Sequence, residues 1–494
     1  MGNTSIKRNY IYNVSYQIFT LIVPLIVTPY ISRVLGTESI GIYSYTYSIV
    51  SYFALLASLG TNTYGVKNIG STNSIYERSI VFFNVFSFKI IASIISIAMY
   101  FFYCFFVSKN GIIAYLQALY ILGVMLDVSW FFQGIQEFKK ITLRNFVFKI
   151  ISVSCIFLFV HNSKDLWIYI LCLSGITVIG NCYMLLFVPR HIIKVPIKEI
   201  HPFTDIKPII ILFFPTIATQ IYSLIDKTLI GSMIHETTIT TNGIVTVANL
   251  ENAYYEQSEK IVKMCLMVIT SLGTVMIPKI SYANKYEKYN DIKHYIKTSF
   301  HFVWLLSIPM CFGVIAISNI LVPVFFGEGF EKVCLLLPVF SLLFIFMGLN
   351  SVIGNQYLIS TGRQNKYMIM LLIGGTVNLM LDLLFIPRYY SLGAAVASVI
   401  GEIIISIIGC LYMNHIGICN INDIFQPALK CLVAGCIMFA AIKLSLHIIT
   451  NNNLFVLFIT IVFGGVVYFS ALLLLKDEML INELERFINR LFNK

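Results

Sequence analysis

A small set of ionisable residues stands inside long apolar runs of this sequence. The acids are Asp127, Asp226, Glu256, Glu259, Asp382 and Glu402, and the bases are Lys89, Lys149, Lys227, Lys260 and Lys263. A charge placed in hydrocarbon costs about 2.5–3.5 kcal/mol on insertion scales, so each such group faces protein or a watery cavity and marks a binding or coupling site. Lysine ammoniums donate charge-assisted hydrogen bonds and suit an anionic ligand. Glu256–Lys260 and Glu259–Lys263 are i,i+4 pairs with the acid N-terminal, a stripe that either seals a helix contact or lines an aqueous cavity. Tyr43 and Tyr47, with Tyr254 and Tyr255, occupy similar places in the two halves of the chain, and tyrosine offers a ring face and a hydroxyl to a sugar.

The stretch LDVSWFFQGIQEFKK, residues 126–140, puts Asp127 just before Trp130, Phe131 and Phe132. At 1.5 Å of rise per residue, Lys89 falls roughly 14 Å from the inner face, while Asp127 and Lys149 lie at roughly 9 Å. These depths let the three share an inner polar pocket. Asp127 then either pairs with a lysine to hold helices together or regulates a cationic site. The aromatic trio is expected at the inner membrane interface, as an anchoring belt.

The elements that must position these groups follow from composition. Of 494 residues, 58% are hydrophobic and 12% charged, with a mean hydropathy of +0.84. That balance belongs to a chain solvated by lipid. Apolar runs of about 20 residues recur throughout, each able to cross the bilayer, and in lipid such runs are helices. About fourteen crossings result, an all-α integral membrane fold. They include 10–32, 40–60, 80–106, 112–132, 143–160, 367–386 and 393–413. The net charge of +11 is concentrated in connections on one side of the weave. It sets topology, with both termini cytoplasmic, and is not a nucleic-acid footprint. The eleven cysteines show no CxxC spacing and read as small core residues. No GxxxxGK[ST] or HExxH motif and no histidine cluster is present, so no cofactor or metal is expected. No connection is long enough for an extramembrane domain.

The proline-rich connection VPRHIIKVPIKEIHPFTDIKP, 188–208, divides the chain. The expected organisation is a six-helix bundle over 1–190, a cytoplasmic linker over 191–208 and a second six-helix bundle over 209–415, the two being parallel repeats. A helix pair over 427–475 and an amphipathic cytoplasmic tail over 476–494 follow; the tail puts Leu480, Leu484, Phe487, Ile488 and Leu491 on one face. Pro24, Pro29 and Pro215 bend the first and seventh crossings.

Taken in order, PLIVTPYISRVLGTESIGIYSYTYSIV, DVSWFFQGIQEFKK, AYYEQSEKIVKM, STGRQNK and NLMLDLLFIPRYYSLGAAVASVIGE resemble the repeat-unit flippases of O-antigen and capsule synthesis. These are the polysaccharide transport family of the multidrug, oligosaccharidyl-lipid and polysaccharide exporter superfamily. One departure is Asp382, where asparagine is expected. The resemblance implies a two-bundle transporter that moves an undecaprenyl-diphosphate-linked oligosaccharide from the inner to the outer leaflet of the bacterial cytoplasmic membrane by alternating access. Its partners would be that lipid-linked substrate, membrane lipid, and the polymerase and chain-length proteins of the pathway. On this reading Lys89, Lys149, Lys260 and Lys263 hold the diphosphate and Arg33 receives it on exit. Tyr43, Tyr47 and Tyr255 face the sugars, and Asp127, Asp226, Asp382 and Glu402 weaken the grip or carry a coupling ion. Competing readings are a cationic-drug exporter, a carrier of lipid-linked peptidoglycan precursor, and an integral-membrane polymerase or glycosyltransferase.

Overall fold

A computed structural model describes residues 3–240, 243–448, 453–477, 479–481 and 485. Its contacts divide the chain into two compact units, Met1–Ala253 and Tyr254–Lys494.

The first unit opens with α1, Asn3–Ser58, which is broken at Gly36 (φ 72°, ψ 178°). Only glycine adopts that backbone without strain, so one long apolar helix becomes two crossings. α2 is Thr61–Ser71 and α3 is Ile75–Phe106. The start of α3 is fixed reciprocally: Ser74 Oγ accepts from the Glu77 N–H at 3.1 Å, and the Glu77 carboxylate accepts from the Asn73 N–H at 3.0 Å. α4 (Gly111–Leu126) and the short α5 (Ser129–Gly134) form the fourth crossing, and α6 (Phe138–Phe159) the fifth. The sixth is α7 (Leu166–Ile170), a π-helical turn Leu171–Gly175, and α8 (Ile176–Leu185).

Without a hydrophobic force between helices in lipid, small residues and hydroxyls hold them together. Ser96 donates to the Phe53 carbonyl, Tyr100 to that of Ala114 at 2.6 Å, and Gln117 to Thr46 Oγ1 at 3.2 Å, joining α1, α3 and α4. α9, Ile206–Met233, packs on α1. There Thr228 Oγ1 lies 3.1 Å from both Ser48 Oγ and the Tyr52 hydroxyl, and Gly231 leaves room for the Tyr45 ring. A two-stranded hairpin, β1 (Thr237–Thr240) and β2 (Gly243–Thr246), leads into α10, Val247–Thr270. Its register pairs Thr237 with Thr246 and Ile239 with Ile244. The β-branched run around Asn242-Gly243 explains this small departure from an otherwise helical fold.

Trp130, Phe131 and Phe132 do not form an interfacial belt. They are at most 1% exposed and sit in a core with Tyr64, Ile69, Phe82 and Phe88. Two glycines make this possible. A Cβ on Gly65 would fall 2.2 Å from the Trp130 ring, and one on Gly134 would fall 2.6 Å from Ile69. α2 and α5 therefore close on each other, and the aromatic trio is drawn inward rather than left in the headgroups.

In the second unit α10 continues into α11 (Gly273–Lys285), bent by 44°, and then α12 (Tyr289–Phe326). α13 (Val333–Ser341), α14 (Leu343–Ser351) and a π-helical stretch Val352–Ile359 make the next crossing. α15, Gln364–His415, is broken at Tyr390 (φ 55°, ψ −131°), again giving two crossings from one run. α16 (Ile421–Ile448) and α17 (Leu454–Leu474) complete the unit. The Trp304 indole donates to the Ile424 carbonyl at 2.8 Å and Tyr468 to that of Leu305 at 3.1 Å, which pins α16 and α17 to α12.

Among the described residues, ten helices are long and apolar enough to cross a membrane. With the two broken ones taken as pairs, and with α9 and the bent α10–α11 added, this gives the expected set of about fourteen. The chain is an all-α, multi-pass membrane protein. Of the tail over 476–494, residues 478, 482–484 and 486–494 lie outside the described residues, Leu484, Phe487, Ile488 and Leu491 of the expected apolar face among them. At its start, Asp477 is buried and bonds His301 at 2.9 Å. Burial raises its carboxyl, but the bonds from His301 and the Leu480 N–H outweigh that and hold it below the usual carboxylate value.

The close approach at Gly65 is directly testable. Gly65→Ala should lower the melting temperature of the detergent-solubilised protein by the equivalent of about 1–3 kcal/mol, as overpacking does. Gly70→Ala, on the same helix but with its new Cβ at an ordinary 3.6 Å from Gly134 O, should leave it unchanged or slightly raised. Equal effects would remove the Gly65–Trp130 contact as a determinant of the fold.

Candidate functional site

A cavity of about 360 Å³ lies within the first unit. One wall is a stripe of α6: Arg144, Asn145, Phe148, Lys149 and Ser152. Their spacing of i, i+1, i+4, i+5 and i+8 places them on one helical face. The opposite wall carries Tyr43 and Tyr47 of α1 and Tyr120 of α4. Leu173 and Ser174, from the π-helical turn, and Ile176, Thr177 and Gly180, from α8, complete the lining. The wider π turn has its own fastener, since Ser152 donates to the Cys172 carbonyl at 2.6 Å. Gly180 makes room, because a Cβ there would press on Phe148 at 3.0 Å.

The tyrosines form a continuous aromatic surface. Tyr43 stacks on Tyr47 with centroids 5.7 Å apart, Tyr47 meets Tyr120 at 5.1 Å, and Tyr169 supports Tyr43 edge-on at 5.2 Å. Facing them, the Lys149 ammonium has neither a hydrogen bond nor an ion pair among the described residues. Five residues earlier on the helix, Arg144 is anchored. It donates to Asn181 Oδ1 and to Ser129 Oγ, and it stands 3.9 Å from the Asp127 carboxylate. Asn181 is itself held by the Gly123 carbonyl at 2.8 Å. The cavity thus joins two cations, a hydroxyl-lined side and an aromatic face, which is the chemistry of an anionic, polyhydroxylated ligand.

The expected site residues divide sharply. Tyr43, Tyr47 and Lys149 meet in the cavity, and Asp127 reaches it through Arg144. Lys89 does not line it. Fully buried, its ammonium donates to Asn62 Oδ1 at 3.1 Å and to the backbone carbonyl of Asp127 at 2.8 Å, so it fastens α3 to α2 and the α4–α5 break. Asp127 therefore meets Lys89 through its backbone, while its carboxylate accepts from the Ser129 N–H at 2.9 Å and from the Ser129 hydroxyl. Arg33 is exposed beside the α1 break, with a long 3.5 Å contact to the Pro29 carbonyl. Asp226 is buried on α9.

In the second unit Lys260 pairs with Glu256 at 3.3 Å and Lys263 with Glu259 at 2.6 Å, as their spacing foretells. Tyr255 is buried, bonded to Ser398 at 3.1 Å and packed on Phe340. Glu402 accepts from Asn350, whose oxygen accepts from Ser406 at 2.8 Å. Asp382 is fully buried on α15, one turn from buried Asn378.

Arg144, Asn145, Tyr120 and Ser152 escape the sequence reading although all four fall inside expected crossings. Arg144 stands at the edge of its expected span, beside the basic residues of the preceding connection; α6 begins at Phe138, which carries it into the second turn of the helix. The signal that finds it is the polar stripe from 144 to 152. At the α5–α6 turn the salt bridge Lys140–Glu137, 2.6 Å long, is capped by His191, 2.9 Å from Lys140. Burial pushes the His191 imidazole below its usual value and the cations Lys140, Arg78 and Arg190 add to this, against the pull of Glu137.

Comparison with known proteins gives a consistent result. The Escherichia coli (strain K12) protein named for O-antigen transport is 21% identical over 418 residues, covering 83% of this chain and 97% of that one. Among solved structures, the lipid II flippase MurJ in an inward closed conformation superposes with a TM-score of 0.74 at 16% identity, covering 94% of this chain and 98% of that one. An inward-facing multidrug resistance transporter of the MATE family, in the MOP superfamily, gives 0.62 at 16% identity over 81% of this chain and 94% of its own. Both likenesses are of fold: the chain folds as these two transporters do. The family model described as polysaccharide biosynthesis protein matches residues 6–283, more than half of the sequence, and the chain belongs to that family.

Proposed function

We propose that this protein is a flippase. It carries an undecaprenyl-diphosphate-linked oligosaccharide from the inner to the outer leaflet of the bacterial cytoplasmic membrane, by alternating access, for assembly of a surface polysaccharide. Both termini are cytoplasmic on this reading, and it is a transporter rather than an enzyme. The observation that carries it is the cavity, where the Lys149 ammonium, with neither a hydrogen bond nor an ion pair among the described residues, shares the lining with three tyrosines inside a membrane-embedded unit. Family membership and the relative named for O-antigen transport support it.

The chemistry follows from the walls. A diphosphate leaving water loses hydration, and Lys149 and Arg144 can replace it with charge-assisted hydrogen bonds. Sugar C–H faces can lie on Tyr43, Tyr47 and Tyr120, with hydroxyl partners in Ser174 and Thr177. The polyprenyl tail needs no pocket, since the bilayer solvates it. A cationic drug would meet Arg144 and Lys149 as like charges, which disfavours the drug-export reading.

Deletion of the gene should leave lipid-linked repeat units accumulated on the cytoplasmic leaflet, seen by their protection from a membrane-impermeant glycan label. Units that reach the outer leaflet normally but stay unpolymerised would instead favour a polymerase.

Two lysines separate site from scaffold. Lys149→Gln should cut polymer about tenfold or more, the worth of one charge-assisted hydrogen bond, with protein levels unchanged. Lys89→Met leaves Asn62 and the Asp127 carbonyl without their donor, a loss of about 1–3 kcal/mol, and should lower the melting temperature and the amount of protein in the membrane. Normal polymer from Lys149→Gln at normal abundance would take Lys149 out of the site.

A further inference from the structure

Resting on the flippase reading, we infer that Asp127 and Arg144 form an exchangeable pair. Arg144 is the second diphosphate ligand, and the Asp127 carboxylate competes for it to release the load.

Three features of the geometry argue for this. First, the pair is close but slack: Arg144 NH2 stands 3.9 Å from Asp127 Oδ1, an ion pair without a hydrogen bond. The guanidinium is instead held by neutral groups, Ser129 Oγ and Asn181 Oδ1. These two bonds hold the guanidinium at the wall of the cavity that it lines. Second, Asp127 does not need Arg144 for its own hydrogen bonding, because the Ser129 N–H and hydroxyl both serve Oδ1. Separating the two leaves no carboxylate bereft, and the exchange costs little. Third, the placement is right. Lys149 lies five residues further along α6, about 7.5 Å of axial rise, a separation that two long side chains close around one diphosphate. Arginine presents a planar fork of N–H donors that matches a phosphate, and the bonds to Asn181 and Ser129 hold that fork at the cavity wall.

Asp127 is well placed for a switch. It lies at the break between α4 and α5, and its backbone carbonyl accepts the Lys89 ammonium. A shift of α4 against α6 therefore changes the Asp127–Arg144 distance. Short, the carboxylate draws the guanidinium from the ligand; long, Arg144 is given to it. The carboxylate is more open than its partner, 28% exposed against 9%, so it is the partner with room to move.

The test measures binding of inorganic pyrophosphate and of geranyl diphosphate to the purified full-length protein by titration calorimetry. The variants are Asp127→Asn, Arg144→Gln, Arg144→Lys and the double variant Asp127→Asn/Arg144→Gln, with melting temperatures recorded for each. Asp127→Asn should tighten both ligands by roughly three- to tenfold, and Arg144→Gln should weaken them by roughly tenfold, the range of one charged hydrogen bond. In the Arg144→Gln background the Asp127→Asn gain should vanish. Arg144→Lys, which keeps charge and loses the fork, should fall between. Asp127→Asn should also slow polymer export despite its tighter binding, because release suffers.

If Asp127→Asn weakens binding, the carboxylate merely positions Arg144 and the proposal fails. It also fails if the gain persists without Arg144. A wild-type protein that restores export to a flippase-deficient strain yet binds neither probe overturns this site while leaving the flippase reading standing. Binding with the expected coupling, but no restoration of export, upholds the pair and sinks the flippase reading instead.

Discussion

An ammonium group inside a membrane protein can exist in two ways: wrapped by protein oxygens, or standing in a hollow that water or an anion can reach. Much of this structure sorts its lysines between those fates. Lys89 takes the first, bonded to Asn62 and to the Asp127 carbonyl at the meeting of three elements. Lys260 and Lys263 each pair with an acid one turn earlier and stay partly exposed. Lys149 takes the second, and the helix around it is shaped to suit: its polar face runs from Arg144 to Ser152, and exposed Phe146, Val147, Ile150 and Ile151 occupy the rest of the surface.

The number and kind of crossings are legible in the sequence because hydrophobic length is a one-dimensional property. The breaks at Gly36 and Tyr390 differ in how well they show. Gly36, in the motif RVLGTES, lies between two expected spans, and its left-handed backbone gives the reason for the boundary. Tyr390 lies between two expected spans as well, yet nothing about a tyrosine announces a positive φ. The site is only half legible. Tyr43, Tyr47 and Lys149 were accessible as unusual residues in apolar runs. Whether a lysine meets an oxygen or a cavity depends on neighbours far along the chain, such as Asn62 for Lys89, and no local pattern encodes that. The aromatic trio after Asp127 misleads for a similar reason. A Trp-Phe-Phe run beside basic residues looks interfacial until Gly65 and Gly134 are seen to admit α2 against it.

Two of the departures from regular helix lie at the cavity. The π-helical turn Leu171–Gly175 supplies Leu173 and Ser174 to its wall. The break between α4 and α5 places Asp127 where Ser129 and Arg144 can share it. A straight α4 would carry Asp127 into the body of the helix, and Ser129 would lose the turn geometry that lets its N–H reach the carboxylate. Each irregularity gives up ladder hydrogen bonds, and each is offset by a side chain: Ser152 at the π turn, Asp127 at the break.

The two walls of the cavity differ in how strictly they constrain a ligand, and the difference fits a carrier of variable glycans. Stacking on Tyr43, Tyr47 and Tyr120 asks only for an apolar sugar face and tolerates changes of hydroxyl configuration. The cations ask for a compact anion at a fixed place, and their fixing is elaborate. Arg144 is tied to Asn181, which is tied to the Gly123 carbonyl, so α6, α8 and α4 jointly set one guanidinium. On the proposed flippase reading, rigidity is thus spent on the part a lipid-linked substrate would keep constant, the diphosphate, while the sugars would meet a surface that discriminates weakly. A cavity built to choose among sugars would place its anchored hydrogen bonds on the tyrosine side. Here the tyrosine side presents ring faces, Tyr43 against Tyr47 and Tyr47 against Tyr120, so on the proposed reading this pocket ranks sugars by their apolar faces rather than by individual hydroxyls.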